Sequence, residues 1–120
     1  MSNDSEVCDL VQIDLARVRK LRAELVNPDA VQGLADTFSA LGDPTRVRIL
    51  DALSHGELCV CDLAAVAGAS KSMTSHQLRL LRAAGLVLPR RAGKLTYYRL
   101  SDPSMVALLD DTLRVALKGP

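Results

Sequence analysis

The chain has 120 residues, enough for one domain with a core, and 48% of them are hydrophobic, which excludes disorder by composition. Aromatics make up only 2% (Phe38, Tyr97 and Tyr98) and the net charge is +1; so aliphatic a chain, rich in Ala and Leu, predicts a mainly helical fold. There is no basic-then-apolar start and no apolar run near the ~18 residues of a membrane span, so the expected location is the cytoplasm, with no membrane partner.

Residues 1–9 read as a flexible N-terminal segment carrying Cys8, and residues 10–120 as one folded domain. A first helix, from about Ile13 to Leu25, carries Leu15, Val18, Leu21 and Leu25. Three later helices announce their starts alike: Asn27-Pro28, Asp43-Pro44 and Asp102-Pro103 each put a capping side chain before a proline. After Pro28, Val31, Leu34, Ala35, Phe38 and Leu41 fall at helical spacing, and after Pro44 so do Val47, Leu50 and Leu53. Between them and the last helix, Asp62 to Ala67 predicts a compact helix, and Gly68-Ala69 a turn. Ser70 then caps a second helix running to about Ala84, with Met73, Leu78 and Leu81 as core candidates. Leu86-Val87-Leu88, a basic turn from Arg90 to Lys94, and Leu95 to Leu100 predict a β-hairpin. The last helix carries Met105, Leu108, Leu109, Thr112, Leu113, Ala116 and Leu117, an apolar stripe too wide for a small monomer to cover alone. The expected fold is therefore mainly α with a small β-hairpin, a winged helix-turn-helix assembled as a homodimer.

The near-neutral net charge hides a segregation. No Asp or Glu occurs between Leu63 and Ser101, and that stretch holds seven of the fifteen Lys and Arg residues. A basic block that contains the helix-turn-helix pattern and the hairpin points to double-stranded DNA. Lys71, Ser72, Ser75, His76, Gln77 and Arg79, at the start of the second helix, are short polar or basic residues suited to a major groove. Gln there can read adenine edges, and Arg guanine or phosphate. Arg90, Arg91 and Lys94 at the wing tip reach toward phosphate or the adjacent minor groove.

At these residues the sequence resembles the ArsR/SmtB family of metal-sensing repressors. The likeness runs through Ala40 to Leu50 (ALGDPTRVRIL), Glu57 to Leu63 (ELCVCDL), Ser75 to Val87 (SHQLRLLRAAGLV), Gly93-Lys94 and Tyr97 to Leu100. The resemblance implies a homodimer built on the first and last helices, and an operator bound without metal and released with it.

Cys59-Val60-Cys61 is the sharpest chemical feature. In a reduced compartment such cysteines read as metal ligands or reactive thiols rather than disulfides. Two thiolates at this spacing share one soft ion only if the backbone is extended between them, which places Cys59 at or before a helix start and Cys61 in its first turn. Two sulfurs leave a soft ion undercoordinated. Arsenic-sensing relatives carry a further cysteine three residues after the second, where this chain has Ala64. Cadmium- and lead-sensing relatives bring cysteine from the N-terminal segment across the dimer; Cys8 stands at the first such position and Gln12 at the second. The resemblance thus implies Cys8, Cys59 and Cys61 as metal ligands, closest to the cadmium- and lead-sensing branch, with a fourth ligand open between Asp9, Asp62 and water. Three sulfurs suit Pb(II) or As(III), and a fourth ligand suits Cd(II) or Zn(II). A zinc site on the last helices of other relatives uses Asp, His, His and Glu. Here those positions are Asp102, Ser104, Val115 and Lys118, too few donors for zinc.

The leading reading is a repressor that responds to Cd(II) or Pb(II), with Zn(II) a further candidate. The alternatives are an As(III)/Sb(III)-responsive repressor and a regulator that senses thiol oxidation. No paired carboxylates, nucleophile–base pair or Gly-rich phosphate loop suggests an enzyme.

Overall fold

The computed structural model describes residues 12–119. Cys8 and Asp9 lie outside the described residues. The chain parts into two compact units between Gly33 and Leu34.

In the first unit, Asp14 Oδ1 accepts from the Arg17 backbone N–H at 3.0 Å and starts helix α1 (Leu15–Glu24), which has no buried residue. Asn27 Oδ1 accepts from the Ala30 N–H at 2.9 Å at the start of α2 (Pro28–Ala40), the helix that runs across the boundary.

The second unit holds the core. Asp43 Oδ2 accepts from the Arg46 N–H at 3.1 Å and starts α3 (Pro44–Leu53), with Pro44 in the first turn as the sequence predicts. The chain then makes a short strand β1 (Leu58–Cys59) and passes directly into α4 (Val60–Ala67). Gly68, at φ 67°, closes α4 in the left-handed region. Ser70 Oγ accepts from the Met73 N–H at 3.0 Å and opens α5 (Lys71–Ala83). Strands β2 (Val87–Ala92) and β3 (Leu95–Leu100) follow, and α6 (Ser104–Lys118) ends the described chain. Ile49, Leu50 and Leu53 of α3, Leu63 and Ala67 of α4, and Leu78 and Leu81 of α5 pack with Leu86, Val87, Leu100 and Met105 into one apolar cluster. That cluster fixes α4 and α5 against each other and against the sheet.

Several expectations need correction. The predicted hairpin is two strands of a three-stranded antiparallel sheet, in the order β1-β3-β2, with Leu58 opposite Tyr98 and Cys59 opposite Tyr97. A two-residue strand is too short to show alternation in sequence. The turn is also smaller than the basic run suggests. Arg90, Arg91 and Ala92 pair with Tyr97, Thr96 and Leu95, which leaves Gly93-Lys94 as a two-residue turn with Gly93 at φ 62°. Finally, Met73 is 47% exposed, and the buried face of α5 runs Thr74, Leu78, Leu81, the i, i+4, i+7 series.

The last helix begins one residue later than its Asp102-Pro103 signal implies. Asp102 Oδ1 accepts from the Ser104 N–H at 2.9 Å, and this bond, with that to the Ser104 hydroxyl, holds the Asp102 carboxyl below the usual range. Of the predicted stripe, Met105 is buried and Leu108 and Leu109 are half-buried, while Leu113 and Leu117 are 55% and 77% exposed in the single chain. Leu41, Val47, Leu109, Thr112, Leu113 and Ala116 line an apolar groove of about 240 Å³.

Leu81→Ala, which empties fully buried space, is expected to cost about 2–5 kcal/mol, and Met73→Ala, on the exposed side of the same helix, about 0.5 kcal/mol or less. Urea unfolding measures both, and equal costs would return Met73 to the core.

Candidate nucleic-acid interface and thiol site

The packing of α4 against α5 leaves one side of α5 to solvent. Lys71, Ser72, His76 and Arg79 are exposed there, and Ser75 and Gln77 are half-buried. Gln77 is hydrogen-bonded at both ends of its amide. Its Oε1 accepts from Arg46 Nη1 at 3.1 Å, and its Nε2 points to Met73 Sδ at 3.6 Å. Recognising adenine through both edge atoms needs an amide acceptor and donor together, and here the acceptor is engaged. Arg46 is itself anchored, its Nε donating to the Ala40 carbonyl at 2.7 Å and its Nη2 to the Ser39 carbonyl at 3.4 Å. One guanidinium therefore ties the end of α2 to the middle of α5.

The wing cations divide into two kinds. Arg91 and Lys94 are exposed, and no carboxylate pairs with them among the described residues. Arg90 is drawn back along the sheet. Its Nε donates to Glu57 at 3.0 and 3.2 Å, its Nη2 donates to Glu57 Oε1 at 2.6 Å, and its guanidinium lies 4.9 Å from the Tyr97 ring centroid. The hydrogen bond from Arg90 is the main reason the Glu57 carboxyl sits below its ordinary range, with the charges of Arg90 and Arg99 adding to it. Glu57 lies just outside the acid-free stretch of sequence, so the pairing is visible only once β1 joins the sheet.

The thiols sit where strand becomes helix. Cys59 is the last residue of β1 and the N-cap of α4, with φ −79° and ψ 162°, and it is 7% exposed. Cys61 lies in the first turn of α4 and is exposed. An extended residue followed by a helical first turn is the backbone the sequence predicts for this Cys-x-Cys pair, but the two thiols lie in different surroundings, Cys59 buried and Cys61 exposed. The cap has a cost. Asp14, Asn27, Asp43 and Ser70 all accept a backbone N–H at their helix starts, whereas the Cys59 side chain makes no capping hydrogen bond. A sulfur stands where an oxygen would contribute about 1 kcal/mol.

Two thiol donors suit a soft ion but do not complete its shell. Among the described residues no group of three or more His, Cys, Asp or Glu is close enough to hold a metal. Ala64 is buried, so its position faces the core, and Asp62 is exposed. The second family position is not a donor set here either. Asp102 caps Ser104, and Val115 and Lys118 are exposed on α6.

Residues 43–88 match the family model described as bacterial regulatory protein, arsR family. The chain is 44% identical over 107 residues to a transcriptional repressor SmtB homolog from a Synechocystis strain, covering 89% of this chain and 81% of that one. It is 38% identical over 106 residues to a cadmium resistance transcriptional regulatory protein CadC homolog from Staphylococcus aureus, covering 88% and 87%. Among solved structures, the homodimeric winged helix-turn-helix DNA-binding domain of a possible ArsR-family regulator from Mycobacterium bovis superposes with a TM-score of 0.69 at 31% identity, covering 77% of this chain and 87% of that one.

Arg91→Ala is expected to lower the slope of log affinity against log salt for duplex DNA by about one. Arg90→Ala is expected to lower it by clearly less, because Glu57 already neutralises that charge. Fluorescence anisotropy across a salt series measures both, and equal losses would show that the Glu57 brace opens on DNA.

Proposed function

The chain belongs to the arsR family of bacterial regulatory proteins, and on that premise we propose that it is a homodimeric repressor that holds operator DNA without metal and releases it when a soft divalent ion binds cysteine thiolates. The observation that carries this reading is the Cys59–Cys61 pair at the start of α4, the first helix of the helix-turn-helix. A ligand there adjoins the elements that meet DNA. Contact with the operator comes from Lys71, Ser72, Ser75, His76, Gln77 and Arg79 of α5 and from Arg91 and Lys94 of the wing, with Arg90 contributing once its Glu57 partner is displaced. Gln77 enters as a donor, since Arg46 occupies its oxygen.

The third donor in this reading is Cys8, carried by the N-terminal segment of one subunit to the Cys59–Cys61 pair of the other. The apolar groove at Leu109 and Leu113, with Leu117 exposed beyond it, supports a partner subunit on α6. Cd(II) and Pb(II) are the expected effectors, with Zn(II) a further candidate. The relative named for cadmium resistance supports that choice, and so does the core-facing Ala64, which offers no local third sulfur. By linkage, the ion binds free protein more tightly than DNA-bound protein.

Titrating reduced protein with Cd(II), Pb(II), Zn(II) and As(III), following thiolate charge-transfer absorption and release of labelled operator duplex together, tests the reading. Cd(II) or Pb(II) is expected to give both signals at matching concentrations. Cys59→Ser or Cys61→Ser is expected to abolish release and keep metal-free DNA binding. Response to As(III) alone would install the arsenic reading, and release by oxidant with no metal response would install the thiol-redox one. Full metal response in Cys8→Ser would remove the third donor.

A further inference from the structure

Three elements meet at one groove of about 200 Å³: the first turn of α4 through Cys61, the exposed start of α5 through Lys71 and Ser75, and the turn and strand of the wing through Lys94 and Thr96. No Asp or Glu lines it. Among the described residues no carboxylate pairs with Lys71 or Lys94. Two lysines and two hydroxyl-bearing residues among its lining offer the donors a tetrahedral anion takes. Its position, between the reading helix and the wing, is where the backbone of a duplex passes when both elements engage it. The two cysteines stand differently toward it. Cys59 is buried in the core, whereas Cys61 is exposed and lines the groove, so a group joined to the Cys61 sulfur occupies space the groove encloses.

We propose that this groove seats one phosphate of bound duplex DNA, held by Lys71, Lys94, Ser75 and Thr96, and that a group on the Cys61 sulfur competes with that phosphate for the seat. The inference rests on the DNA-binding reading above and says how occupancy of a thiol reaches the DNA. It requires no rearrangement of the subunits. It also assigns Thr96, a wing residue outside the basic run, to the interface.

The test needs no metal. In full-length Cys8→Ser protein, Cys61 is the accessible thiol and Cys59 is shielded by burial. Three methanethiosulfonate reagents then place a methyl, a sulfonatoethyl or a trimethylammonioethyl group on Cys61 as a mixed disulfide, with methanesulfinate leaving; mass spectrometry counts one adduct. Affinity for a short labelled duplex of mixed sequence is the readout. The sulfonate adduct is expected to bind roughly tenfold more weakly than the trimethylammonium adduct of similar bulk, the size of one charge-assisted hydrogen bond. In a Lys71→Gln/Lys94→Gln background the gap narrows, because no cation lining the groove remains for the sulfonate to capture. Equal affinities for the two bulky adducts, or a gap undiminished without the lysines, would overturn the seat while leaving the DNA-binding reading intact. Untreated protein that binds no duplex at all would overturn both.

Discussion

The rest of the structure hangs on the junction at Cys59, where a strand becomes a helix with no residue between. Cys59 must be extended to stay opposite Tyr97 in the sheet, and the helix must begin at Val60 for Leu63 and Ala67 to reach the core. These two demands fix the backbone on either side of Val60, and with it the relation between the sulfurs. They also connect three parts of the molecule. The wing sheet is paired to β1, β1 runs into the first helix of the helix-turn-helix, and that helix packs against α5 through the apolar cluster. A force applied to the thiols is therefore applied to every element on the basic side. A better capping residue than cysteine exists for this position, and the chain forgoes it.

Charge in this molecule is organised by subtraction. The acid-free stretch supplies the cations, but the fold decides which of them stay available. Glu57 withdraws Arg90 into a brace between the approach to β1 and the wing, over the Tyr97 ring. Arg46, a cation from outside the stretch, is spent on structure, binding two carbonyls at the end of α2 and the oxygen of Gln77. Among the described residues, Arg91, Lys94, Lys71 and Arg79 have no carboxylate partner at the tip and on α5, a set smaller than the sequence offers, and Lys71 and Lys94 line one groove between α5 and the turn.

The legible parts of the fold were those written locally. Asn27, Asp43 and Ser70 announce helices because a capping bond spans three residues, and each bond is present. Leu78 and Leu81 are legible as core because helical period is a local property. Met73 misleads because it is large and apolar, yet one position out of phase; Thr74, small and polar, lies on the buried face instead, with its Oγ1 unpartnered among the described residues. The parts that escaped sequence depend on partners far along the chain. Arg90 and Glu57 are 33 residues apart and Arg46 and Gln77 are 31 apart, and each pairing appears only after the sheet and helices are assembled. The Cys-x-Cys pair was legible as chemistry because its spacing makes a backbone demand that can be stated without a fold. A third donor, Cys8, is implied only by the family resemblance, and it lies outside the described residues.

The most direct measurement uses mixed dimers in which one subunit carries Cys8→Ser and the other Cys59→Ser/Cys61→Ser. If a metal site is built from the thiol pair of one subunit and the Cys8 of its partner, such a dimer keeps one intact site. Titration with Cd(II) then gives half the charge-transfer intensity of the wild-type dimer at half the bound metal, so the intensity per bound ion matches wild type, whereas the Cys8→Ser homodimer gives about two-thirds of it per bound ion and the Cys59→Ser/Cys61→Ser homodimer gives none. A mixed dimer whose intensity per bound ion is no higher than that of the Cys8→Ser homodimer would contradict a site shared between subunits at the start of α4.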